Sequence, residues 1–299
     1  MDDNRNSMAG EVARWSGKLL EQGYCVIPEL ISRDTIAALD EDLGPDFAET
    51  PFCRGGFYGS RTKRFGRLLS RSTAAAQLVQ HNLVLGVVRS ILSPWCDIIQ
   101  LNLTQALALH PNAPPQLPHR DQDMWRGAIG EVEYLVNVMW PFTPYTAENG
   151  ATIVWPGSHG RRALDPEPPD GAFAAELDPG SALLFLGSTL HGAGGNSSNH
   201  VRRGAIVSYC LGWLKPYENQ WLAYPPEIAR HFDAELAALV GYQQHRPNLG
   251  NYEGQCPSVL LRPDVPLRLA ATDALRPDQE ELMNAFVRDQ DWPAVRTAA

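Results

Sequence analysis

At 299 residues, with 44% hydrophobic and 20% charged residues, the chain has globular composition and the length of one large domain or two small ones. Its formal net charge of -9 argues against a general affinity for nucleic acid or an anionic membrane, and no run approaches the ~20 apolar residues that span a bilayer. The polar, acidic start MDDNRNSMAGEVARW does not read as a secretory signal, and five scattered cysteines without a C-x-x-C read as reduced thiols of a cytoplasmic protein.

In chain order the sequence reads as one domain, residues 1–299, in three stretches. Residues 1–96 are mainly helical. Val12 to Gln22 carries helical spacing with Gly23 as a stop, Ser32-Arg-Asp-Thr opens a second helix toward Leu43, and a third covers Ala74 to Leu92. From Asp97 the period changes. DIIQLNLTQALAL alternates apolar and polar residues, and EVEYLVNVMW, GATIVW, SALLFLG and GAIVSYCLGW follow, each bounded by Pro, Gly or Asn. Short strands separated by turns, without helices between them, predict a sandwich or jelly roll over residues 97–215. Residues 216–299 return to helix, at Pro225 to Val240 and Pro277 to Arg288. The expected fold is mainly β with α flanks.

Leu117-Pro-His-Arg-Asp-Gln-Asp is the segment with chemical content. In extended backbone, residues i and i+2 point the same way, so His119 and Asp121 can present an imidazole and a carboxylate to one point. Pro118 favours that backbone, whereas the rival carboxylate Asp123 stands at helical spacing. A second histidine must come from elsewhere. His191 ends the apolar run SALLFLGSTL, where a core strand would deliver it to the mouth of a barrel. His159, in the turn Pro156-Gly-Ser-His-Gly, and His110, before Pro111, read as structural. Two histidines and one carboxylate on one octahedral face leave three positions open, as in non-haem Fe(II) oxygenases. An H-x-D alone is weak evidence and is better explained by a surface turn with a hydrogen-bonded histidine. The segment after His191 favours the metal: a Gly/Asn/Ser turn, then Arg202-Arg203 opening another apolar strand. A guanidinium there offers a planar fork for a carboxylate. The two arginines point to opposite faces, so only one can serve.

The series Gly23-Tyr-Cys-Val-Ile-Pro, His119-Arg-Asp, Glu148-Asn-Gly-Ala-Thr, Pro156-Gly-Ser-His, His191 and Arg202 resembles the phytanoyl-CoA dioxygenase family of Fe(II)/2-oxoglutarate oxygenases over nearly the whole chain. The resemblance implies a double-stranded β-helix of jelly-roll type that uses Fe(II), 2-oxoglutarate and O2. It implies oxidation of a C–H bond of a small organic molecule, with release of succinate and CO2. His119, Asp121 and His191 correspond to the metal ligands. Arg202, eleven positions after the distal histidine, corresponds to the residue that binds 2-oxoglutarate. The pattern departs at Gly204, where the family usually has a small and an aliphatic residue directly after the arginine pair; a one-residue shift would favour Arg203. Gln116 and the stretch Gly212-Trp-Leu-Lys-Pro-Tyr-Glu-Asn-Gln resemble the natural-product-tailoring members. Gln116 is accordingly expected beside the co-substrate, with Thr104 and Asn137 on neighbouring strands, and Trp213 beside the substrate. Because Asp121 fills the coordination position a halide would need, hydroxylation or desaturation is expected over halogenation.

Residues 51–67 carry five cations (Arg54, Arg61, Lys63, Arg64, Arg67) and three aromatics (Phe57, Tyr58, Phe65) between glycines. The segment reads either as a mobile lid, with Phe57, Tyr58 and Arg61 toward substrate, or as a solvated surface loop. Three rival functions compete. A non-catalytic binding protein on the same jelly roll would not explain an intact H-x-D…H set with its arginine. A cupin-like metal-dependent hydrolase or isomerase would recruit more histidines and need no such cation. A nucleic-acid demethylase would have only the basic patch from Arg54 to Arg67 to work with, against the net charge. The expected partner is a small-molecule substrate, without nucleic acid or membrane.

Overall fold

The computed structural model describes residues 2–290. Its centre is a six-stranded antiparallel sheet. In chain order the strands are β1 (Tyr24–Ile27), β2 (Thr62–Gly66), β3 (Ile99–Leu109), β4 (Leu135–Pro141), β5 (Thr152–Val154), β6 (Phe173–Ala175), β7 (Ala182–Leu186), β8 (His191–Ala193) and β9 (Arg202–Leu211). The large sheet runs β1-β7-β4-β9-β3-β2, and a small sheet runs β6-β5-β8. Together they form the expected jelly-roll core with helical flanks.

The large sheet is covered on both faces, which is why β4 and β7 are buried at every position. Val136, Val138 and Trp140 of β4, Leu184 and Leu186 of β7, and Val207, Tyr209 and Leu211 of β9 face the helical layer. The intervening Met139, Leu183 and Phe185 face the small sheet, where they pack with Val154, Ala175 and Leu177. The helical layer is built largely from Asn82–Leu92, which buries Val84, Val87, Val88 and Ile91, and from the helix Asp2–Gln22, whose Val12 lies against Gly86. Ser32 caps Arg33–Asp42 by accepting from the Thr35 amide (3.1 Å). Among the described residues no helix is long and apolar enough to cross a membrane.

Several local expectations need correction. The helix expected over Ala74 to Leu92 is two, Ala75–Val79 and Asn82–Leu92. His81 between them is extended, and its Nε2 reaches the Leu30 carbonyl (3.0 Å). Pro225 to Val240 also divides, into Pro226–Ala229 and Ala234–Leu239, because Asp233 caps a new start by accepting from the Leu236 amide (2.9 Å). Residues 240–276 hold a single short 3-10 turn, Pro257–Leu261, so the last third is less helical than expected. Strands β1, β2, β6 and β8 were not expected. Of these β2 matters most, since Thr62–Gly66 makes five residues of the 51–67 segment, which reads as lid or surface loop, into the edge strand beside β3.

Gly204 does not shift the register of β9. It lies opposite Leu107 of β3 and Pro141 of β4 in an unbroken ladder. A Cβ there would stand 2.6 Å from the Trp140 carbonyl and closer still to the Tyr145 hydroxyl. The glycine is required for backbone approach. Gly204→Ala should therefore lower stability by about 1–3 kcal/mol, the usual cost of overpacking a dense interior. Denaturant unfolding would measure it, and an unchanged midpoint would contradict the close approach.

Candidate metal centre and active-site cavity

Two of the three chemically informative residues are neighbours across a strand pair. His119 N donates to His191 O (2.9 Å), and His191 N donates to His119 O (3.0 Å). This reciprocal pair adds the segment around His119 to the small sheet, beside β8, and sets the imidazole centroids 4.5 Å apart. Arg120 is extended (φ -118, ψ 126), so Asp121 emerges on the same side as His119 before the chain turns into Asp121–Met124. Asp121 Oδ1 lies 3.4 Å from His119 Nε2, and Oδ2 lies 3.5 Å from His191 Nε2. One donor atom from each residue falls within 4.8 Å of the other two.

The remaining ring nitrogens fix the tautomers. His119 Nδ1 lies 2.8 Å from the Leu117 carbonyl and His191 Nδ1 lies 3.1 Å from the Thr189 carbonyl. A carbonyl only accepts, so each Nδ1 carries the proton and each Nε2 is free to bind a metal. Burial would raise the Asp121 carboxyl, but the His191 and His119 imidazoles and the Asn137 amide outweigh it and hold the group at about 2. Burial pushes the His191 imidazole below its ordinary value, despite Asp121. Burial opposes protonation of His119 too, but there the hydrogen bond and charge of Asp121 prevail and its value rises. An anionic carboxylate between two Nε2 atoms is a donor set that suits a divalent first-row metal, with three positions left for other ligands. Asp123 also lines the cavity but does not belong to the cluster.

The cluster opens into a cavity of about 370 Å³. Arg202 reaches it and is 1% exposed. Its guanidinium lies 4.3 Å from the Tyr145 ring centroid and donates to the Gly150 carbonyl, while its Nε has no partner among the described residues. Arg203 leaves the opposite face and pairs with Asp40 (2.6 Å). Gln116 lines the cavity, and its Oε1 accepts from the Ala193 amide (3.3 Å). Asn137 lines it as well, with Nδ2 donating to Asp121 Oδ2 (2.9 Å). Phe57 stacks edge-on against His119 with centroids 4.8 Å apart, and Tyr58 meets the hydroxyl of Tyr217.

Three expected residues lie elsewhere. Thr104 faces the helical layer, where its hydroxyl contacts Tyr224 (2.9 Å) and accepts from the Leu68 amide (3.1 Å). The cause is a register shift between Leu101 and Leu103, which puts Asn102 and Leu103 both into the cavity and reverses the faces beyond. Arg61 donates to the Pro111 carbonyl (3.1 Å) and covers Phe52, outside the cavity. Trp213, 41% exposed, donates to the Trp95 carbonyl (3.0 Å) in a separate surface cleft. Conversely, Arg64 was not assigned to the site. It stands opposite Leu107 on the cavity face of β2, donates to Gln105 (3.2 Å) and has an unpartnered Nε. Reading Thr62–Gly66 as a strand would have found it.

Comparison with known proteins agrees with this geometry. A sequence model of the phytanoyl-CoA dioxygenase family matches residues 19–204. The dioxygenase trt7 of Aspergillus terreus is 28% identical over 235 residues, 75% of this chain and 82% of the relative. The dioxygenase swnH1 of Arthroderma benhamiae is 28% identical over 255 residues, 78% of this chain and 83% of its own. Among solved structures, the epimerase SnoN, crystallised with Fe3+, alpha ketoglutarate and nogalamycin RO, superposes with TM-score 0.56 at 16% identity over 68% of this chain and 84% of its own. HygX from Streptomyces hygroscopicus, with nickel and 2-oxoglutarate bound, gives 0.54 at 14% identity over 69% of this chain and 89% of its own. These two share the fold. With 186 of its 299 residues inside the family match, counting 19 through 204, the chain belongs to the phytanoyl-CoA dioxygenase family of Fe(II)- and 2-oxoglutarate-dependent oxygenases.

Proposed function

We propose that His119, Asp121 and His191 hold the Fe(II) of this dioxygenase, that Arg202 anchors 2-oxoglutarate, and that residues 1–299 work as one domain to oxidise an unactivated C–H bond of a small, largely apolar molecule. The observation that carries the reading is the convergence of two Nε2 atoms and a carboxylate beside a buried arginine with an unpartnered Nε. Iron with 2-oxoglutarate and O2 supplies the oxidising equivalent and leaves succinate and CO2.

The chain's own residues do the rest. Arg202 and Arg64 give one cavity two cations on different strands, a match for a ligand with two carboxylates. Gln116 lies between the His119 segment and β8, where its amide can join the same ligand. Leu103, Leu107, Met139, Phe185 and Ile206 make the remaining wall apolar, which suits a hydrocarbon-rich substrate and excludes water from the oxidation. Asp121 would fill the place on the metal that a halide needs, which favours hydroxylation or desaturation over halogenation. SnoN is an enzyme of nogalamycin biosynthesis, and HygX has been crystallised with hygromycin B. With the dioxygenase relatives, they support a role in tailoring a natural product.

Three outcomes test the reading. The protein should bind one Fe(II) per chain, and His119→Ala, Asp121→Ala and His191→Ala should each lose the metal and succinate formation, since two ligands hold a labile divalent ion poorly. Asp123→Ala should keep both; the reverse pattern at positions 121 and 123 would reassign the carboxylate. Arg202→Ala should raise the 2-oxoglutarate requirement by roughly two orders of magnitude with iron retained, as expected from losing charge-assisted hydrogen bonds. Arg203→Ala should leave that requirement unchanged. Finally, Phe57→Ala with Tyr58→Ala should consume 2-oxoglutarate without matching product, because those rings close the cavity beside His119. Unchanged coupling would reduce them to plain surface.

A further inference from the structure

Asn137 has a hydrogen bond whose consequence lies in how the metal is held, an inference that rests on the Fe(II) reading above. It sits in the middle of β4, opposite Ser208 of β9 and Phe185 of β7, and is 1% exposed. Its Nδ2 donates to Asp121 Oδ2 at 2.9 Å. A carboxylate only accepts, so the NH2 end of the amide faces it. Both neighbouring strands pair with β4 here, so the backbone that carries the amide is held from two sides.

The two oxygens of Asp121 are thus unequal. Oδ2 accepts from the amide, whereas among the described residues Oδ1 accepts no hydrogen bond and has His119 Nε2 as its neighbour. An aspartate beside a first-row metal can bind through one oxygen or both, and the difference is decisive. Two imidazoles and one carboxylate oxygen leave three of six octahedral positions, enough for a chelating 2-oxo acid and one molecule of O2. Binding through both carboxylate oxygens would leave two, which the 2-oxo acid alone would fill.

We propose that Asn137 is a positioning residue: by occupying Oδ2 it restricts Asp121 to a single ligating oxygen and keeps the third coordination position free for O2. This role is additional to the place beside 2-oxoglutarate expected from sequence, since the amide keeps a second N–H and its carbonyl oxygen for the cavity.

The test uses Asn137→Leu, which has nearly the same volume and no amide, on the full chain loaded with Fe(II) under anaerobic conditions without 2-oxoglutarate. The Fe(II)-induced infrared difference spectrum reports the gap between the antisymmetric and symmetric carboxylate stretches, wide for one-oxygen binding and narrow for two. The parent protein should show the wide gap and the variant the narrow one, while Fe(II) affinity is retained or increased. Calorimetric titration of the Fe(II) form should then show 2-oxoglutarate binding weakened about tenfold, since Oδ2 must be displaced first. A wide gap in the variant would overturn the proposal, even if 2-oxoglutarate binding falls, because that pattern belongs to a direct contact with the co-substrate. A narrow gap in the parent would overturn it equally. Should Asn137→Leu fold poorly, Asn137→Ala gives the same spectral contrast. Failure of the metal assignment itself would appear separately, as iron retained by His119→Ala.

Discussion

Everything at the site depends on one pair of backbone hydrogen bonds, those exchanged by His119 and His191. A paired strand geometry fixes both position and direction, so the two imidazoles arrive at contact distance with no contribution from their own chemistry. Asp121 then needs only one extended residue, Arg120, to join them. The carbonyls of Leu117 and Thr189 complete the arrangement by taking the outer ring nitrogens. Both histidine partners are main chain. Side-chain choice therefore enters through the three donors and through Asn137, whose amide holds Asp121, and local strand geometry orients the rest.

The large sheet has a double task that constrains its sequence. One face packs on helices, and the other must supply an apolar wall interrupted by a few polar groups. Strict alternation would satisfy both along β4, β7 and β9. In β3 the extra residue near Asn102 breaks the alternation, and Asn102 and Leu103 enter the cavity together while Thr104 turns to Tyr224. The polar groups of the cavity face come from different strands: Arg64 from β2, Gln105 from β3, Asn137 from β4, Thr152 from β5 and Arg202 from β9. The two charged groups among them, Arg64 and Arg202, stand on strands separated by β3.

Much of this was readable in the sequence where a periodic signal existed. The five apolar runs from Ile99 onward are strands because their alternation and their Pro, Gly and Asn boundaries agree. His119 with Asp121 was legible from spacing two in an extended segment, and Arg202 over Arg203 from the resemblance, with the ladder around Gly204 explaining why the departure there does no harm. What escaped was short or depended on partners. TKRFG carries too many charges to look like a strand, so neither β2 nor the place of Arg64 is legible from the local pattern. The bulge in β3 leaves no trace in composition. His81 and Asp233 interrupt helices through contacts made elsewhere in the chain, which no local pattern reports.

The distance between the two histidines along the chain, 119 to 191, has a thermodynamic consequence. The donor cluster does not exist in any contiguous stretch, so an unfolded chain offers a divalent ion nothing comparable to the folded one. Occupancy must then draw the folding equilibrium toward the native state by mass action, in proportion to the logarithm of free ion over its dissociation constant. By the same linkage, a substitution that merely loosens the β1–β7 pairing, which holds no donor residue, weakens ion retention along with the fold. Resistance to denaturation and hold on the ion are one equilibrium measured from two ends.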